Sequence, residues 1–190
     1  MLKVGAIVLA AGFSSRMGEN KLLLKASGEC MIVTTVSQLV RANLREVIVV
    51  TGHQREEIER ALRGYVVRFA TCDDFRRGMG RSLAVGINAL SKELDGALIC
   101  LGDMPKVNSD IYNLLIKCRH QKEIIVPTYK NQQGNPVLFS KSMMEKIMEI
   151  KGDSGAKKIL ELNKNKIFNL DINDQGIVKG FNTQKDFNSL

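Results

Sequence analysis

The chain has 190 residues, 44% of them hydrophobic and 25% charged, which is the balance of a folded globular protein and excludes a disordered one. Its apolar runs are only a few residues long, against the roughly 20 that a membrane-spanning helix needs. Lysine and arginine number 28 against 20 acids, for a net charge of +8, so anionic partners are favoured.

Aromatic residues make up only 5% and tryptophan is absent, a poor basis for stacking nucleic-acid bases. A small anion is therefore expected, with no nucleic-acid and no membrane partner. The four cysteines form no C-x-x-C pair, which argues against a zinc knuckle, and Cys100 reads as a buried thiol inside "ALICLGD". The N-terminal "MLKVGAIVLAAGFSSRMG" has a lysine before an apolar run, as a signal peptide does. The run is short and strand-like and leads straight into a functional-looking loop, so a cytoplasmic protein is expected.

In chain order, "VGAIVLA" (4–10) reads as a buried strand and 30–43 as a helix. A second strand spans 46–52, a polar amphipathic helix 55–64 and a third strand 66–71. A helix at 80–92 precedes a fourth strand at 96–103. Residues 109–120 read as a helix opened by a Ser109-Asp110 cap, and 123–129 as a fifth strand. Then "YKNQQGNPVLFS" reads as a polar turn followed by a short strand, either a hairpin or an antiparallel return strand near the end of the sheet. Two more helical stretches, from Ser142 and from Asp153, precede a strand-like "KIFNLDI". Apolar strands alternating with helices predict an α/β fold, a mostly parallel sheet covered on both faces with an antiparallel return strand. No repeat or linker interrupts it, so one domain over 1–190 is expected.

Ligands of open α/β sheets bind at the carboxyl ends of the strands. After the first strand comes "AAGFSSRMGENK", whose small residues permit close backbone approach to phosphate and whose Arg16 and Lys21 offer charge-assisted contacts. It is neither a Walker loop, since five residues separate Gly12 from Gly18, nor a G-x-G-x-x-G fingerprint. An ordinary strand-to-helix turn with exposed cations remains the alternative. After the second strand stands His53, while His120 ends a helix. Asp103 follows the fourth strand, placed either to hold a metal beside phosphate or to serve as a turn aspartate. Gly78, Gly80, Arg81 and Ser82 open a helix whose end can face a base or phosphate. No Ser-His-Asp set and no Cys-His pair is evident. Transfer between phosphates needs none, because a phosphate monoester, with a second pKa of about 6, is already largely ionised near pH 7.

The segment "LAAGFSSRMGENK" (9–21) resembles the nucleotidyltransferase signature L-A-A-G-x-[GS]-x-R-M-G-x-x-K. "GDMP" (102–105), "GMGRSLAVGI" (78–87), "GNPVLF" (134–139) and "GDSGAKKIL" (152–160) resemble further segments of the molybdenum cofactor cytidylyltransferase branch of the molybdopterin nucleotidyltransferase-like group. That resemblance, running from about residue 4 to residue 187, implies a three-layer Rossmann-like nucleotidyltransferase fold. It implies attack by the terminal phosphate of molybdopterin on CTP, with Mg2+, giving the dinucleotide cofactor and pyrophosphate. A recipient molybdoenzyme is a further implied partner.

Carried over, Leu9, Ala10, Ala11 and Gly12 approach the nucleotide, and Arg16 and Lys21 hold the triphosphate. Asp103, after Gly102, binds the metal, Gly80 and Ser82 lie near base or ribose, and Asn135, Pro136, Gly152, Asp153 and Gly155 flank the acceptor. The family's D-[IV]-D-T-P-E-D end reads "GFNTQKDF" (180–187) here. Asn182 takes the place of the second aspartate as an oxygen ligand, Gln184 replaces the proline, and Arg81 is a candidate for altering base choice. L-A-A-G rather than L-A-G-G favours CTP over GTP. Guanylyl transfer to the same pterin, a sugar-phosphate acceptor and a non-catalytic nucleotide or pterin carrier are the competing readings.

Overall fold

The computed structural model describes residues 3–12, 20–26, 28–149 and 156–181. The order is β1 (Val4–Ala10), a small hairpin of β2 (Lys25–Ala26) and β3 (Glu29–Cys30), α1 (Met31–Val40), β4 (Val47–Thr51), α2 (Arg55–Ala61) and β5 (Arg68–Thr71). Then come α3 (Met79–Ala89), β6 (Gly96–Leu101), α4 (Ser109–Lys117), β7 (Ile124–Tyr129), β8 (Gln132–Gln133) and β9 (Val137–Ser140). The last elements are α5 (Lys141–Met148), α6 (Lys157–Leu162) and β10 (Ile167–Asp171). The hairpin, and a 3-10 turn at Lys21–Leu23 before it, were not foreseen from periodicity because each is too short to show a period.

The main sheet runs β10-β7-β9-β6-β1-β4-β5, with β8 paired to β7. Strand β1 is central and parallel to both neighbours, with Ile7 opposite Ile48 of β4 and Ile99 of β6. Its side chains alternate between the two faces, as a pleated strand requires. Val4, Ala6, Val8 and Ala10 join the core under α1, α2 and α4, while Ile7 joins the core under α3, α5 and α6. These two cores make the three layers. Helix α3 sits close to the sheet because Gly86 has no side chain: a Cβ there would lie 2.5 Å from Ile7 Cγ2 and 2.9 Å from Val50 Cγ2.

Two expectations are refined. The return strand β9 stands third from one end of the seven-strand order, inside the sheet, antiparallel to β6 on one side and β7 on the other. Val137, Leu138 and Phe139 are all buried, and three consecutive buried residues belong to a strand covered on both faces. The edge is taken by β10, whose residues are half-buried or exposed. The second correction concerns α4. Its cap is Asn108, whose side chain accepts the Ile111 N–H at 3.1 Å, while Ser109 and Asp110 are already helical. That helix also tightens at Cys118–His120 into a 3-10 turn.

Candidate functional site

The carboxyl ends of β1, β4 and β6 are bound to one another by backbone hydrogen bonds. Gly102 N–H donates to the Leu9 carbonyl at 3.1 Å, and His53 N–H donates to the Ala11 carbonyl at 3.3 Å. Close packing holds this junction: a Cβ on Gly52 would lie 2.9 Å from Ala11 Cβ, and one on Gly102 3.2 Å from the Leu9 carbonyl oxygen. Gly12 is different. A Cβ there meets no atom of the described residues within 4 Å.

Into this edge project the two charged groups that the sequence singled out. Lys21 Nζ donates to Asp103 Oδ2, an ion pair joining the turn after β1 to the turn after β6. The side chains are 22% and 15% exposed, so the pair is shielded but reachable. Below it, the fully buried Thr35 hydroxyl on α1 lies 3.2 Å from the Gly102 carbonyl oxygen and 3.0 Å from that of Met31. This ties the Gly102-Asp103 turn to the helix beneath. Asn20, 3% exposed, caps the turn that carries Lys21 by accepting the Leu22 N–H at 3.1 Å. Its Nδ2 is buried with no hydrogen-bond partner among the described residues.

The other expected residues fall as follows. Ala10 and Ala11 are buried, Leu9 is half-buried and Gly12 is exposed, so this stretch offers a ligand mainly its backbone. Gly80 and Ser82 are buried in the first turns of α3. Ser82, 6% exposed, points its hydroxyl at Cys72 Sγ, 3.7 Å away. Arg81 points outward to Asp74, with Nε 3.1 and 3.2 Å from the two carboxylate oxygens, and Arg77 adds a contact at 3.2 Å. The Arg81 and Arg77 guanidinium groups hold the Asp74 carboxyl below its ordinary range.

Because β9 is antiparallel and internal, its leading residues Asn135 and Pro136 arrive at the same edge as the carboxyl ends of β6 and β7. Asn135 N–H donates to the Ile177 carbonyl at 2.8 Å. Phe181 is buried between Lys106 and Lys179, each Nζ 5.6 Å from the ring centroid, three residues past Asp103 in the case of Lys106. Arg16, Gly152, Asp153, Gly155 and Asn182 lie outside the described residues.

Among the described residues no three or more His, Cys, Asp and Glu side chains gather as a metal-binding group. Asp103 supplies one half-buried carboxylate, which suits Mg2+, since that ion takes one or two protein carboxylates and completes its shell with water and phosphate oxygens. Nor is any described helix long and apolar enough to cross a membrane. Sequence reasoning missed Asn20 and Thr35. Both carried a signal: Asn20 is a capping residue just before "KLLL", and Thr35 is a polar residue on the apolar stripe of Met31, Ile32, Val36 and Leu39.

The MobA-like NTP transferase domain matches residues 6–167. The chain is 29% identical to the purine catabolism protein PucB of Bacillus subtilis over 82% of its own length and 79% of that protein's. It is 24% identical to the molybdenum cofactor cytidylyltransferase of Escherichia coli over 98% of its own length and 95% of that protein's. Among solved structures, Rv0371c of Mycobacterium tuberculosis superposes with a TM-score of 0.90 at 23% identity, covering 99% of this chain and 96% of that one.

Proposed function

Because the chain belongs to the MobA-like NTP transferase family and is a nucleotidyltransferase, we propose that its donor is CTP and its acceptor the terminal phosphate of molybdopterin. The products are molybdopterin cytosine dinucleotide and pyrophosphate. The observation that carries this reading is the Lys21–Asp103 pair at the junction of β1 and β6, a cation for the triphosphate beside a carboxylate for Mg2+. The whole chain acts as one nucleotidyltransferase domain in the cytoplasm and delivers its product to a recipient molybdoenzyme.

An ionised acceptor phosphate oxygen attacks the α-phosphorus, the bond to the β-phosphate breaks and pyrophosphate leaves. No general base is needed, because the acceptor has already lost its proton near pH 7. The chain's work is positioning and charge neutralisation. Lys21 and Arg16 hold the triphosphate. It lies against the backbone of residues 9–12, where a Cβ on Gly12 would meet no atom of the described residues within 4 Å. Asp103, with Asn182, would hold Mg2+, which would supply neutralisation of phosphate charge there. Gly80 and Ser82 lie near the base or ribose, with Arg81 directed outward to Asp74. Asn135 and Pro136, with Gly152, Asp153 and Gly155, flank the pterin.

The test is pyrophosphate release by purified protein with Mg2+ and molybdopterin, using CTP, GTP or ATP. Release with CTP alone is the expected result. Release with GTP alone overturns the choice of base. Nucleotide binding without release under any of the three conditions overturns the acceptor and favours a sugar-phosphate acceptor or a carrier.

A further inference from the structure

The buried amide nitrogen of Asn20 has no role in holding the fold. Its oxygen does: Oδ1 accepts the Leu22 N–H at 3.1 Å and so starts the turn that carries Lys21. That bond also fixes the amide's orientation, because turning it over would set an NH2 group against an N–H. Nδ2 is thereby held buried, with no acceptor among the described residues. Buried donors in native proteins are paired in the great majority of cases, so a donor kept unpaired calls for a cause. Its place supplies one. Asn20 precedes Lys21, whose ammonium meets Asp103 at the carboxyl edge of the sheet. The cap and Lys21 belong to the same turn.

We infer that Asn20 is a nucleotide-binding residue whose Nδ2 donates a hydrogen bond to a phosphate oxygen of the bound nucleoside triphosphate. This rests on the nucleotidyltransferase reading of the site. The bond is charge-assisted, the stronger kind, and the free protein gives up no other bond to make it. The cap and the donor are separate tasks of one amide, one serving folding and the other serving the ligand.

Two variants separate them. Asn20→Ser keeps a capping oxygen and loses the donor without adding charge. Asn20→Asp keeps both shape and cap and replaces the donor with an acceptor. Each is examined by thermal melting without ligand and by calorimetric titration with α,β-methylene CTP and Mg2+, with the guanosine analogue alongside. The expected result is near-unchanged melting and binding weakened about ten- to a hundred-fold in Asn20→Ser, more in Asn20→Asp. In the unsubstituted protein, the Asn20 side-chain amide resonance should move on nucleotide binding and show coupling to 31P. A nucleotide affinity of Asn20→Ser equal to that of the parent overturns the assignment, whatever Asn20→Asp does. If Asn20→Ser fails to fold, an Asn20 amide resonance that is unmoved by nucleotide overturns it instead. Failure of the parent protein to bind either analogue refutes the cytidine or guanosine triphosphate reading of the site, and so is distinguishable from failure of the Asn20 assignment.

Discussion

Replacing Thr35 by valine removes one hydroxyl and nothing else of comparable size. The side chain is fully buried on α1, and its hydroxyl reaches the Gly102 carbonyl, one residue before Asp103. The single hydroxyl proton is shared with the Met31 carbonyl at 3.0 Å, which also serves the helix ladder. Leaving a buried carbonyl unpaired costs about 1–3 kcal/mol. The added methyl returns roughly 0.8 kcal/mol, since it enters the core of Ile32, Val36 and Leu39. The net loss is about 0.2–2.2 kcal/mol. For a chain of this size each kcal/mol lowers the melting temperature by about 2–4 °C, so a fall of up to about 9 °C is expected.

The functional effect should be larger than the stability effect suggests. The released Gly102-Asp103 turn carries the carboxylate proposed to hold metal, so pyrophosphate release should fall by about tenfold or more, with a higher Mg2+ requirement. Thr35→Ser, which keeps the hydroxyl, should restore the Mg2+ requirement. Differential scanning fluorimetry and a pyrophosphate assay across Mg2+ concentrations read both effects. A Thr35→Val protein with unchanged melting would show that the Gly102 carbonyl does not depend on this hydroxyl. One with lowered melting but unchanged Mg2+ requirement would show that the bond does not position Asp103.

Asp103→Ala should abolish turnover, by about a hundredfold or more, while circular dichroism stays unchanged, because the residue is in a turn rather than in the core; unchanged turnover would remove Asp103 from the metal site. Burial pushes the Cys100 thiol far above its ordinary range, and Cys72 is buried as well. A thiol reagent at pH 8 should therefore label the half-buried Cys30 and Cys118 in the folded protein and spare the other two, as peptide mapping would show. Arg81 and Arg77 lower the Asp74 carboxyl from a starting value of 3.8. Its contribution to stability is present above that value and is lost as pH falls through the lowered one. Asp74→Asn should thus melt below the parent protein at pH 7 and pH 5, and the difference should close only below about pH 4. A difference that closes between pH 7 and pH 5 would place its origin in another group.

Much of the architecture was legible in the residues. Continuous apolar strands at 4–10, 46–52 and 96–103 separated by helices specify a covered parallel sheet, and period-2 alternation in β1 distributes its side chains between two cores. The loops that follow those strands drew attention for their glycines and charges, and Lys21 and Asp103 do meet at that edge. Such features depend on local spacing, which a sequence displays directly.

Other features were decided by contacts between distant residues. "PVLF" is equally compatible with an edge strand, and only its insertion between β6 and β7 buries both its faces. Ser82 offered a hydroxyl at a helix start, but α3 turns it inward toward Cys72 because Gly86 lets that helix settle onto Ile7 and Val50. Asn108 rather than Ser109 caps α4, since the cap is decided by which side chain reaches a free N–H and not by which polar residue comes next. The task of Asn20 was invisible for the same reason: a sequence shows that an amide is present, while only the packed chain shows that one end of it is used and the other is not.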